Sequence, residues 1–252
     1  MWSLIDHHLD VDSPLRTWHA TTKLIGIGSL IAATACVTNA SLAGAALALS
    51  VVAVVLTRLP VRPVIRRTRG LIAFIALFTV LVALTAHGRP VFSLGPIGVS
   101  AHGLELAAVV GAKAVGITLL ALALVATTPF AQLCRSLNRI GCPARLVSVI
   151  LLSYRMNFAL GGEMESVRAA LAARGFRFRF SRRALGTIGL VIGSLLVRSL
   201  ERADRLYNGM LARGYDGNIP YLSSQSVAGA DVLKMLAAIV LAGALVGVQL
   251  WI

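Results

Sequence analysis

Five apolar runs, at about residues 20 to 38, 41 to 57, 71 to 86, 105 to 126 and 233 to 252, constrain this chain more than any other feature. Each approaches the roughly 20 residues that cross the hydrocarbon core of a bilayer as a helix. Backbone in lipid must satisfy its own hydrogen bonds, so runs of this kind become helices. Composition agrees, because 57% of the residues are apolar and 13% charged, against about 25% charged in soluble domains. The expected fold class is an all-α integral membrane protein with about five transmembrane helices. Thr38-Asn39-Ala40-Ser41 separates the first two runs as a short polar turn, which suits a helical hairpin.

The net charge is +14, from 24 Lys plus Arg against 10 Asp plus Glu. In a soluble protein that excess would point to nucleic acid. In a membrane protein it reports topology, since basic residues collect in cytoplasmic segments, and no nucleic-acid partner is expected. Between the second and third runs, "TRLPVRPVIRRTRG" carries Arg58, Arg62, Arg66, Arg67 and Arg69, which places it inside. Threading the chain from there puts the N-terminus and residues 127 to 232 inside. The loop 87 to 104, whose only Lys or Arg is Arg89, falls outside, and so does the C-terminus. The first 23 residues hold Asp6, Asp10 and Asp12 and no apolar run, so a cleaved signal peptide is not expected.

Three regions follow: residues 1 to 128 with four spans, a cytoplasmic module at 129 to 232, and a last span at 233 to 252. The apolar stretches of the module, 146 to 154 between Arg145 and Arg155 and 185 to 197 between Arg183 and Arg198, are short for a span. They predict two long helices, about 145 to 174 and 184 to 213, after a shorter amphipathic one at about 129 to 140. Pro129 and Pro143 suit helix starts. Both long helices run into the same sequence, Ala173-Arg174-Gly175-Phe176 and Ala212-Arg213-Gly214-Tyr215, 39 residues apart. Gly just past a helix end is the ordinary left-handed cap, and Arg in the last turn complements the macrodipole, so each copy alone reads as a stop. The shared company, Ala before, an aromatic after and an acid nine residues upstream (Glu165, Asp204), points further, to two equivalent docking points.

With "MESVRAALAARGF" and "SLERADRLYNGMLARGYDG" on the page, the chain resembles the transmembrane T component of energy-coupling factor transporters, particularly the Q subunit of cobalt and nickel systems. The N-terminal "SPLRTWHATTKL" is similar to that family's N-terminal motif but has His19-Ala20-Thr21 where Asp-Pro-Arg is usual. The resemblance implies a scaffold with a coupling module of two long crossed helices. Its docking motifs would be Ala173, Arg174 and Gly175, and Ala212, Arg213 and Gly214, each entering a groove on one of two ATP-binding cassette subunits. A separate substrate-binding membrane subunit would take the cargo. ATP and Mg would be bound by the partners, and this chain would hold no cofactor. Arg suits such a role because its planar fork can hold a carboxylate bidentately.

Gly189 and Gly193 form a GxxxG pair that would let the second long helix cross another closely, and Gly243 and Gly247 repeat the spacing. Lys113 falls well inside the fourth run with no partner evident, and a charge there is a functional candidate by default. Arg198, Glu201, Arg202 and Arg205 sit at spacings that brace a helix. His7, His8, His87 and His102 show no paired ligand spacing, and Cys36, Cys134 and Cys142 read as free thiols. No metal site is expected. The chain contains no GxxxxGK[ST] phosphate loop, and only Glu105 of its acids touches an apolar run. An ATPase, a self-sufficient ion-coupled carrier and a membrane-embedded enzyme are all weaker readings. A vitamin-type importer using the same kind of subunit is the nearest alternative.

Overall fold

The computed structural model describes residues 18–57, 61–85, 90–94, 97–176, 181–216 and 228–251. The elements are α1 (Ala20–Cys36), α2 (Ala40–Leu56), α3 (Val61–Thr85), the strands β1 (Pro90–Leu94) and β2 (Ile97–Ser100), then α4 (Ala101–Thr127), α5 (Phe130–Arg139), α6 (Ala144–Ala173), α7 (Arg182–Leu211) and α8 (Gly229–Trp251). All five apolar runs lie on helices, and the protein is an all-α membrane protein apart from one small antiparallel hairpin. That hairpin, with Leu94 opposite Ile97 and Ser93 opposite Gly98, occupies much of the segment expected as an outer loop. Alternating apolar residues flanking Gly95-Pro96 carry a strand signal that the neighbouring hydropathy overshadowed.

Helix boundaries answer to local chemistry. α1 begins at His19, whose Nδ1 accepts from the Thr21 backbone N–H at 3.2 Å, and α7 begins at Ser181, whose hydroxyl accepts from Ala184 N–H at 3.2 Å. Pro143 is the residue just before α6 rather than its first helical position. α3 starts ten residues before the apolar run it contains, so Arg62, Arg66, Arg67 and Arg69 belong to its first turns instead of to a loop. Pro63 allows this, because the first turn of a helix has no intrahelical use for that N–H. Arg58 lies outside the described residues.

The described residues divide into two compact units, one within 137–216 and one joining 18–136 with 228–251. In the second unit α1 packs on α8 and α4, while α2 and α3 pack on α4. Ile27, Leu30, Ala33, Leu120, Leu124, Ala238 and Ala242 form its main core. Small residues set the helix spacing. A Cβ at Gly26 would stand 3.2 Å from that of Ala238, one at Gly111 3.1 Å from the Thr79 hydroxyl, and one at Gly116 3.2 Å from the Ser50 hydroxyl. Hydroxyls within the helices bond to their own backbone, as Ser50 does to Ala46 and Thr79 to Ile75, each at 2.8 Å.

Side-chain contacts fix the directions of these helices. Trp18 Nε1 donates to the Asp231 carbonyl at 3.2 Å, joining the start of α1 to the start of α8. Thr38 N–H donates to Gln249 at 3.1 Å, joining their far ends, so α1 and α8 run parallel. Lys23, at the start of α1, meets Thr127 at the end of α4, so α4 runs the other way. The chain therefore leaves the bundle after α4 and re-enters it at α8 from the same end. α7 qualifies as a span by length and composition, with Ala184–Leu211 at a mean hydropathy of 1.5, which corrects the view that its apolar run is too short.

Candidate functional site

α6 and α7 are each 30 residues long and end in one geometry. At the end of α6, Phe176 N–H donates to Leu171 O and Gly175 N–H to Ala172 O, both at 3.0 Å. At the end of α7, Tyr215 N–H donates to Met210 O at 3.1 Å and Gly214 N–H to Leu211 O at 3.0 Å. These are the paired bonds of a Schellman cap, which requires a left-handed residue; Gly175 has φ +72° and Gly214 φ +81°. The glycines thus do stop the helices. The stop also decides what projects, since the arginine becomes the last residue before the reversal. Ala173, Arg174 and Gly175 are exposed, as are Ala212, Arg213 and Gly214, and both following aromatics are half-buried.

Neither Arg174 nor Arg213 has an ion pair among the described residues. The acids nine residues upstream do not supply one. Nine residues is about two and a half helical turns, so Glu165 and Asp204 lie on the faces opposite their arginines, and both are exposed. Each motif is a free guanidinium at the tip of an arm, flanked by a residue too small to obstruct approach.

The two arms meet at an ion pair between Glu163 and Arg202, whose side chains are 23% and 33% exposed. Its spacing to Arg198, Glu201 and Arg205 predicts Arg202 as a brace within its own helix. The structure keeps Glu201 with Arg205 for that purpose, at 3.7 Å, and sends Arg202 across to α6. Gly189 and Gly193, expected at a close helix crossing, meet no neighbour among the described residues. A Cβ at either would meet nothing within 4 Å, and the same holds for Gly243 and Gly247. GxxxG describes a surface that permits close approach; whether a neighbour arrives is decided elsewhere in the fold.

A second polar group went unrecognised in the sequence. Lys23 is 1% exposed, and its ammonium donates to the Thr127 carbonyl and hydroxyl, both at 3.3 Å, and to the Thr128 hydroxyl at 3.4 Å. A cation thus caps the C-terminus of α4, where the helix carbonyls lack partners. Trp18, His19 and Asp231 are buried around it. One lysine at the edge of an apolar run, with Thr-Thr-Pro at the end of another, was the available signal. α5 joins this unit, with Cys134 and Ser136 buried and Thr21 donating to the Ser136 hydroxyl at 3.3 Å. Burial pushes the Cys134 thiol up from its ordinary range. Lys113 is half-buried on the α4 face that carries Leu120 and Leu124, without an ion pair among the described residues.

Of the histidines considered as ligands, His7, His8 and His87 lie outside the described residues, as do Asp6, Asp10 and Asp12. Among the described residues no three His, Cys, Asp or Glu side chains gather as a metal site.

Membrane helices and two long helices that end in matched, exposed Ala-Arg-Gly caps define a polytopic membrane protein with a repeated motif. The family model described as "cobalt transport protein", CbiQ, matches residues 12–222, and the chain belongs to that family. It is 37% identical over 159 residues to the cobalt transport protein CbiQ of Rhodobacter capsulatus, covering 60% of this chain and 64% of that one. It is 33% identical over 157 residues to the energy-coupling factor transporter transmembrane protein EcfT of Leuconostoc gelidum subsp. gasicomitatum, covering 57% of this chain and 58% of the relative. A putative ABC transporter ATP-binding protein of Bifidobacterium longum is 27% identical over 188 residues, 70% of this chain and 24% of that protein. The chain thus spans about three fifths of the length of the first two relatives.

Proposed function

We propose that the chain is the membrane scaffold and coupling subunit of an ATP-driven importer of the energy-coupling factor type, with cobalt or nickel ion as the cargo. Two ATP-binding cassette subunits dock at the arms, one at Arg174 and one at Arg213, and a separate substrate-binding membrane subunit takes up the metal. The partners bind ATP and Mg; this chain carries out no catalysis. The arginine-rich start of α3 supports a cytoplasmic N-terminus and cytoplasmic α6 and α7 arms, with the C-terminus outside.

One observation carries this reading: two helices of equal length end in the same cap and present the same exposed arginine. A stop signal accounts for each glycine and, through the macrodipole, for each arginine singly, but not for the same Ala-Arg-Gly-aromatic run at both ends. Similarity to a protein named as an ATP-binding component supports partners of that kind, and the cobalt-transport family name supports a metal ion over a vitamin.

The deciding experiment is a pull-down of the ATP-binding subunits, with metal uptake in cells, for Arg174→Ala, Arg213→Ala and the double variant. Leaving a buried acceptor on the partner unpaired costs about 2 to 5 kcal/mol. That is roughly 30-fold or more in affinity at one docking point. Single variants retain partial co-purification because two linked contacts raise avidity, and the double variant loses it. A well-inserted double variant with wild-type binding and uptake would reduce both motifs to helix stops.

A further inference from the structure

Glu163 and Arg202 are separated by 39 residues, the same interval that separates Arg174 from Arg213. Each therefore stands eleven residues before the motif arginine of its own helix. Eleven residues is about three helical turns, or about 16 Å, which returns to nearly the same face. The burial pattern repeats at that interval too: Glu163, Val167 and Leu171 are half-buried on α6, and so are their counterparts Arg202, Leu206 and Met210 on α7. Two helices that cross at equivalent positions are related by a local two-fold axis through the crossing. The pair that marks the axis is the one place where the repeats must differ, since a Glu facing a Glu or an Arg facing an Arg would repel.

From this placement we propose that the Glu163–Arg202 ion pair is the pin of the coupling module, a positioning pair that holds the two arms crossed at equal lengths so that both arginine tips reach their partners together. The proposal rests on the docking function assigned to those tips. One guanidinium nitrogen of Arg202 meets one oxygen of Glu163, while Glu163 Oε2 and Arg202 Nη1 are buried with no hydrogen-bond partner among the described residues. A single-point contact fixes where the helices cross and leaves the crossing angle free. The two idle atoms can complete a bidentate fork at another angle, so the pair survives rotation of the arms. A hydrophobic crossing of interlocked side chains would resist that motion.

Charge reversal tests the pin. Glu163→Arg and Arg202→Glu each place like charges at the crossing; the double variant restores the pair with its polarity exchanged. Uptake, ATP hydrolysis and co-purification of the ATP-binding subunits are measured in the full assembly. Spin labels at Ala169→Cys and Asn208→Cys, exposed residues six past the crossing on each arm, report the arm separation in the chain alone after removal of the native cysteines. Each single variant should transport about tenfold less metal per ATP hydrolysed, within the range of coupled contacts. Each should also broaden the distance distribution, and the double variant should recover both. Wild-type values in the single variants, or no recovery in the double, would overturn the pin. Failure of the wild-type chain to bring down ATP-binding subunits would instead overturn the docking reading, and the spin-label distances would still decide the pin.

Discussion

The ammonium of Lys23, near the start of α1, donates to the backbone carbonyl of Thr127 at the end of α4, 3.3 Å away. Among the described residues it is the largest side chain that is fully buried. A cation in that place closes one helix with the side chain of another and ties the start of the bundle to the point where the chain leaves it for α5.

Replacing Lys23 by Met keeps most of the volume and removes the donor. Hydrogen bonds to charged groups contribute about 1.5 to 3 kcal/mol, and the end of α4 should lose stability of that order. The expected result is a lower Tm in detergent with faster proteolysis near residues 127 to 140. Unchanged melting and protease resistance would show that the Thr127 carbonyl finds another donor.

Gly175 and Gly214 separate the stop from the docking role. Each has positive φ and open space around its missing Cβ, so substitution is opposed by backbone strain alone. Ala at either position should cost about 1 to 2 kcal/mol locally, read as faster amide exchange at Phe176 or Tyr215. Asn, which tolerates this conformation, should cost less than Val. Equal exchange rates for Ala, Asn and Val would mean the caps relax into another geometry.

Glycine pairs that look alike in sequence should respond differently. Gly26→Leu drives a side chain into Ala238 and Trp18, and overpacking of this kind costs about 1 to 3 kcal/mol. Leu at Gly189 and Gly193 together meets open space and should leave the melting of the isolated chain unchanged. If that double variant lost transport while melting normally, the surface would belong to a partner.

The three cysteines test orientation and burial at once. Cys36 ends α1 and is exposed, Cys142 is half-buried before α6, and Cys134 is buried. With the N-terminus inside, an impermeant thiol reagent added outside should label Cys36 and a cysteine placed at Ser93, but not Cys142. After permeabilisation Cys142 should react, with Cys134 last. The thiolate is the reactive form, and burial raises the Cys134 thiol above its ordinary range, so its labelling should climb at higher pH than that of a free thiol. Labelling of Cys142 from outside in sealed cells would reverse the topology.

Local rules were enough for much of this molecule. Hydropathy located α1, α2, α4 and α8 to within a few residues, because a segment partitions into lipid on its own composition. The ends of α6 and α7 were legible for a similar reason: a Schellman cap is written in the five or six residues that make it, and Gly175 and Gly214 are the only residue type that adopts it at no cost. The doubled motif was visible because repetition is itself a property of the chain. What required the tertiary structure is every statement about a neighbour. Gly26 meets Ala238 while Gly189 meets nothing among the described residues, though both sit in apolar helices. Arg202, at a proper spacing to brace its own helix, reaches across to Glu163 instead, and Lys23 finds Thr127 over a hundred residues away. Side chains choose partners by distance in space, and only the packing of the helices sets that distance.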